Sequence, residues 1–173
     1  GSTKTKVAVY ANEKELFRVI ASHPAEELEK CASAEEQYRM RKNDLMRALS
    51  EKGFDPASLS AIAARGGALP PIAGGAYRIN AAMAAALKDR PVLEHASNAA
   101  AVIAFELASE YGIPAFIYDG ISVDELSDLA RISGMPELPR RSVFHALNSR
   151  AVARDAAEAM GKCYADMNII VAH

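Results

Sequence analysis

Residues 98–120 read NAAAVIAFELASEYGIPAFIYDG, and this stretch carries the punctuation of an α/β unit. An alanine-rich apolar run opens at Ser97 or Asn98, both residue types whose side-chain oxygen caps a helix N-terminus. The run stops at Gly112, where glycine admits the left-handed backbone that ends helices. An apolar strand over 113–118 follows at once, and Asp119-Gly120 turns the chain. Such sheets carry their chemistry at the carboxyl ends of strands, so a carboxylate at Asp119 draws attention immediately.

Outward from this unit, the upstream chain repeats the same grammar. KTKVAVY alternates polar and apolar residues from Lys4, as a half-buried strand does. ELFRVI at 15–20 follows a polar turn at Asn12 and Glu13, which predicts a hairpin. Ser33 and Glu36 form the S-x-x-E capping box of a helix that stops at Gly53. A short apolar strand at 60–64 breaks at Gly66-Gly67, and a second begins near Ala76 after Gly74-Gly75. Asn80 caps an alanine-rich helix that ends before Pro91. Downstream, Ser122 and Glu125 form a second S-x-x-E and predict a short helix. A loop with Gly134, Pro136 and Pro139 leads to a helix over 142–161, and 167–172 reads as a last buried strand. No repeat or low-complexity linker divides the chain, so the expectation is one α/β domain with a mixed sheet flanked by helices. Strands so close to Gly1 and His173 point to a segment cut at both ends, with Gly1-Ser2 as a cloning scar the alternative.

Composition narrows the function classes. The chain has 173 residues, 50% hydrophobic and 24% charged, enough for one cored domain and thin for two. Twenty Lys and Arg are interspersed among 22 Asp and Glu, for a net charge of -2. No basic stripe recommends a nucleic-acid role. No apolar run approaches the roughly 20 residues that span a bilayer, and no signal layout opens the chain. Cys31 and Cys163 lack metal-ligand spacing and read as reduced thiols of a cytoplasmic protein.

Five places combine residue types suited to binding or catalysis. Gly1-Ser2-Thr3-Lys4-Thr5-Lys6 offers backbone N–H groups, hydroxyls and a cation to a phosphate, or is simply a polar N-terminus. Arg65 before Gly66-Gly67 suits a carboxylate or phosphate, with glycines that let a ligand approach; its plainer reading is a surface turn. His95 and Asn98 sit at a helix start that would attract an anion, unless Ser97 or Asn98 only caps it. Asp119 is placed to orient a nucleophile, take a proton or hold Mg²⁺, or else merely closes an Asp-Gly turn. His145 falls in the first turn of the helix over 142–161, facing the positive end of its dipole, where a helix built for stability would carry Asp or Glu. Three of the four histidines, His95, His145 and His173, stand at element ends rather than on faces, which favours a site.

These residues lie in blocks that resemble the butyrate kinase family. GSTKTK, ARGGALPPIAGGAYRIN, EHASNAAAVIA, YGIPAFIYDGISVDEL, ARISGMPELPRRSVFHALNSRAVAR and MNIIVAH follow one another in that family's order across nearly the whole chain. The resemblance implies the acetate and sugar kinase, heat-shock ATPase and actin superfamily, with a ribonuclease-H-like (actin-like ATPase) fold. The chain would be the N-terminal domain, truncated at both ends, lacking its first strand and the C-terminal nucleotide-binding domain. The implied reaction is ATP-dependent phosphorylation of butyrate to butyryl phosphate, reversible, with ATP/ADP and Mg²⁺. The implied catalytic residues are Asp119, His145 and Arg65. Arg65, His95, Asn98 and Phe144 would bind the substrate, and Ser2, Thr3, Lys6 and His173 the phosphates. Asp119 would orient the carboxylate or hold the metal, and His145 would stabilise the moving phosphoryl group. Lys4 stands where the family loop has Ser, and Gly120 where it has Pro. Small Ala63 and Ala64 would leave room for an acyl chain longer than acetate. The resemblance further implies a small carboxylate and a nucleotide as partners, a homo-oligomeric full-length enzyme, and no turnover from these 173 residues alone. Competing readings are an acetate, propionate or branched-chain acid kinase, a non-catalytic ligand-binding domain of the same fold, and an actin-like polymer module.

Overall fold

The computed structural model describes residues 3–172. Its chain runs β1 (Lys4–Ala11), β2 (Lys14–Ser22), α1 (Ala25–Glu29), α2 (Ala34–Glu51), β3 (Ile62–Ala64), β4 (Ala76–Arg78), α3 (Ala81–Asp89), α4 (Asn98–Tyr111), β5 (Ala115–Tyr118) and α5 (Ala146–Ala159). Single 3-10 turns sit at Pro56–Ser58, Leu129–Arg131 and Tyr164–Asp166.

α4 is the structural axis because its sequence is apolar almost all round, and such a helix must be buried on every side. Ala101, Val102, Ala104 and Ala108 pack toward the sheet and α3. Ala99, Ile103 and Leu107 pack the other way, against Leu45 and Met46 of α2. The alanines let neighbouring elements approach closely, and Leu87 and Ile117 fill the space they leave. Burying each of those two stabilises the fold by on the order of 2 kcal/mol. Lys42 fastens α2 to α4 through Glu106 and Glu110.

The sheet is mixed: β5 lies between β3, parallel to it, and β4, antiparallel. Parallel pairing of β3 and β5 brings Arg65 and Asp119, each one residue past its strand, to the same end of the sheet. The hairpin β1–β2 forms a separate two-stranded sheet that packs on α2. Its turn is made possible by Asn12, whose φ of 55° is the left-handed conformation that asparagine tolerates best among non-glycine residues. Among the described residues the outer edges of both sheets have no ladder, β1 and β3 each bordering one such edge.

The caps at Ser33 and Asn80 behave as their chemistry requires, whereas neither Ser97 nor Asn98 caps α4: Ser97 Oγ meets His95 and Asn98 Oδ1 accepts from Ala68 N. Ser33 Oγ accepts from Glu36 N, Asn80 Oδ1 accepts from Met83 N, and Gly112 ends α4 with φ 66°. Glu36 completes its box one residue early, accepting from Ala32 N.

Four further expectations fail. No helix starts at Ser122: its carbonyl accepts from Ile72 N, Val123 bridges in parallel to Ile72, and Glu125 pairs with Arg150. The last long helix begins at Ala146 rather than near Ser142, whose hydroxyl donates to Val123 O. His145 is consequently the residue before the helix, not part of its first turn. The buried strand at 167–172 does not form; these residues have no ladder, and Ile170 is 97% exposed. An apolar run becomes a strand only where a neighbour supplies its hydrogen bonds, and the described residues offer none. The short helix α1 was not foreseen.

Candidate functional site

Asp119 is the centre of the site. It directly follows β5, is 2% exposed, and holds a φ of 51°, a left-handed conformation that aspartate adopts more readily than most non-glycine residues but still at some cost. Strain of that kind persists where surrounding contacts over-determine the conformation. Here they do. Asp119 Oδ1 accepts from Leu147 N at 2.9 Å and Oδ2 from Asn148 N at 3.2 Å. The carboxylate thus satisfies two donors at the start of α5 from outside the helix, which has no side-chain cap of its own. Arg65 Nε lies 3.3 Å from Oδ2, and His145 Nδ1 lies 2.7 Å from the Asp119 carbonyl oxygen and 3.7 Å from Oδ2.

Because a carbonyl only accepts, His145 Nδ1 carries the hydrogen of this bond, which puts the neutral ring's lone pair on Nε2. Arg65 commits Nε to Asp119, and its side chain is 46% exposed. A guanidinium has five N–H donors in a planar fork, so further donors are available to an anion beside Asp119. Anion contact, a directed imidazole and a helix N-terminus thereby share one corner at the carboxyl end of the sheet.

Asn98 supports this corner from beneath. Fully buried, it accepts from Ala68 N at 2.8 Å and donates Nδ2 to Leu93 O at 2.9 Å. It is therefore a brace for the glycine turn after Arg65. Gly66, with φ 143°, lies so close to this brace that a Cβ would stand 2.6 Å from Ser97 O. His95 is exposed and turns back on its own loop, with Nδ1 2.8 Å from Ser97 Oγ. Phe144 is partly exposed beside His145. Lys6 is exposed on β1, and Thr3 O accepts from His23 N. Ser2 and His173 lie outside the described residues.

Arg65, Asp119 and His145 are thus brought together, Asn98 supports them, and His95 reaches neither Asp119 nor Arg65 by a hydrogen bond. A cavity of about 10 Å³ beside Asp119 holds no more than a water molecule, so any ligand must use the open face. A groove of about 320 Å³ runs between the free edges of β1 and β3. Residues 5–9 and 61–65 line its sides, including Lys6, Ala63 and Arg65, while Leu45, Leu49 and Ile103 contribute from α2 and α4. Ala63 is exposed here, whereas Ala64 belongs to the core.

The contacts of Asp119 favour its orienting role over the metal-holding one. Both of its oxygens are engaged by N–H donors, and Arg65 places a positive charge against it. Among the described residues no group of three or more His, Cys, Asp or Glu is arranged to hold an ion. No described helix is long and apolar enough to cross a membrane.

Sequence reading missed the two backbone N–H groups that fix the Asp119 carboxylate. It also missed a buried His23–Asp44–Arg41–Thr5 cluster at the root of the hairpin. The signal available for the cluster was His23 itself, a histidine directly after an alternating strand.

No protein-family model matches the chain. Butyrate kinase 1 and butyrate kinase 2 of Clostridium acetobutylicum are 47% and 46% identical to it over all 173 residues. A probable butyrate kinase of Listeria monocytogenes is 43% identical over the same span. The chain spans about half the length of these relatives, 49% of each.

Proposed function

We propose that this chain is the N-terminal part of a butyrate kinase, and that Arg65, Asp119 and His145 form the carboxylate side of its phosphoryl-transfer site. One observation carries the reading: a cation able to bind a carboxylate and an imidazole able to meet a phosphoryl group are both held by the same buried aspartate. The whole-chain similarity to named butyrate kinases supports the choice of reaction.

In this reading the butyrate carboxylate binds the exposed donors of Arg65. One of its oxygens attacks the γ-phosphorus of ATP as the bond to the ADP oxygen breaks, giving butyryl phosphate and ADP. Phosphoryl transfer of this kind leaves the protein to position the reactants in line and to stabilise charge on the equatorial oxygens. Asp119 orients both working side chains and is not itself the base, because a carboxylate nucleophile has no proton to lose. His145 directs Nε2 toward the moving group, and the N-terminus of α5 adds its dipole. Lys6, Ser2, Thr3 and His173 are assigned to the nucleotide phosphates, while His95, Asn98 and Phe144 border the substrate side. Any Mg²⁺ would ride on the nucleotide phosphates with its waters, as that ion commonly does.

The fold proposed for this half is ribonuclease-H-like, in a cytoplasmic enzyme. The groove between the free edges of β1 and β3 supports it, since one further strand there would join hairpin and sheet into a single mixed sheet. Exposed Leu129, Ile132, Met135, Leu138 and Val143 would be covered by the second domain or by another subunit of a homo-oligomer.

A substrate panel tests the proposal. The full-length protein should phosphorylate butyrate in preference to acetate, propionate and branched acids. Preference for another acid would move it to a sister kinase. Ligand binding without turnover would make it a non-catalytic relative of the fold.

A further inference from the structure

The root of the hairpin is tied to the body by a buried polar cluster that lies outside the Asp119 site. Thr5 is opposite Ala21 in the β1–β2 register, so His23, two residues beyond Ala21, lies on the same hairpin face. That face meets α2, where Arg41 and Asp44 are three residues apart and share a helix side. The result is a linked set. Thr5 Oγ1 is 2.8 Å from His23 Nε2 and accepts from Arg41 Nη1 at 3.3 Å. His23 Nδ1 is 3.2 Å from Asp44 Oδ2, close enough for an ion pair although off-line for a well-aligned hydrogen bond. His23 is 1% exposed and Arg41 3%.

Such a cluster is a poor way to attach a hairpin. Desolvating an arginine, a histidine and an aspartate offsets most of what their pairing returns, and apolar side chains of similar size would usually hold as well or better. What the cluster supplies is direction. With Nδ1–H toward Asp44, Nε2 accepts the Thr5 hydroxyl hydrogen while that oxygen accepts from Arg41, which leaves the side chain one orientation. Thr5 is the only one of residues 3–6 turned inward, so its anchoring sets the course of the exposed Thr3 and Lys6 on either side.

We infer that His23 and Asp44 are positioning residues for the phosphoryl donor, acting through the Thr5 hydroxyl to aim residues 3–6. This rests on the proposed assignment of that segment to the nucleotide phosphates. Neither residue touches substrate.

The test is steady-state kinetics on the full-length protein, with ATP and butyrate varied separately. His23→Ala and Thr5→Val should raise KM for ATP by roughly tenfold or more, because residues 3–6 would no longer meet its phosphates in the aligned geometry that charge-assisted hydrogen bonds need. KM for butyrate should stay unchanged. His23→Gln, whose amide can still reach the hydroxyl, should recover part of the loss, and Asp44→Asn should fall between. A rise in KM for butyrate as large as that for ATP, or a lower melting temperature with unchanged kinetics, would overturn the inference and leave a purely structural cluster. Should the unaltered protein turn over no carboxylate at all, the kinase reading fails and this inference with it. An active enzyme without the split rejects the inference alone.

Discussion

Replacing Asp119 by Asn removes the charge at the centre of the site while sparing the backbone. Asparagine tolerates the φ of 51° found there, so the change tests the carboxylate and not the turn. The carboxylate serves Leu147 N, Asn148 N and Arg65 Nε. An amide keeps one accepting oxygen and turns its NH₂ toward the remaining donors, leaving at least one partly buried N–H unsatisfied at about 1–3 kcal/mol. The lost Arg65 pair adds at most about 1 kcal/mol, because that side chain is nearly half exposed. The sum is about 3 kcal/mol, below the 5–15 kcal/mol typical of a folded domain, so the variant should remain folded at room temperature. Asp119→Ala should cost about 1 kcal/mol more, since it removes both acceptors and places a Cβ without a local hydrogen bond in the left-handed region. Urea unfolding followed by far-UV circular dichroism measures both, with an unchanged m-value showing that the denatured state is the same. Should Asp119→Asn fall within about 0.5 kcal/mol of the parent, the range of an ordinary surface change, the claim that Asp119 fixes α5 and Arg65 would be refuted.

Three further outcomes are expected. Asn98→Ala leaves the buried Ala68 N without its partner and should destabilise the chain by about 1–3 kcal/mol, read from the same urea curves. Gly66→Ala should cost more than Gly53→Ala, because a Cβ at Gly66 meets Ser97 O at 2.6 Å, whereas Gly53 has open space and only the left-handed penalty of about 1 kcal/mol. Thermal melts of the two variants check that order. Burial, and then the Arg41 charge, hold the His23 imidazole below its ordinary pKa of 6.5 against the opposing pull of Asp44 and Glu27. The unfolded chain then binds this proton more readily, so the contribution is fully present above pH 6.5 and is lost as the pH falls through the lower, folded-state value. His23→Gln should flatten that part of a stability-versus-pH profile.

Local chemistry made part of this molecule legible in its sequence. The caps at Ser33 and Asn80 and the stop at Gly112 act within four residues of themselves, so they could be read from adjacent letters. The same S-x-x-E letters at Ser122 and Glu125 misled, because pairing of 122–124 with Ile72 and of Glu125 with Arg150 outweighed the local cap. The 167–172 run misled for a related reason: its apolar pattern says what a strand would bury and nothing about which neighbour would pair with it. Asp119, Arg65 and His145 could be singled out because each ends an element. Their mutual contact could not, since it depends on parallel pairing of β3 with β5 and on α5 starting at Ala146. His23 and Asp44 escaped notice because only the packing of the hairpin on α2 brings them together.

The central claim is that Asp119 organises the carboxylate side of a phosphoryl-transfer site. Hydroxylamine trapping of acyl phosphate, with ATP and butyrate supplied to the full-length protein and to its folded Asp119→Asn variant, tests it most directly. The expected result is butyryl hydroxamate from the parent and a loss of at least about a hundredfold in the variant, the scale of removing a group that positions reacting partners. Hydroxamate formation at the parent rate by the variant, or none from the parent with any short-chain acid, would contradict the claim.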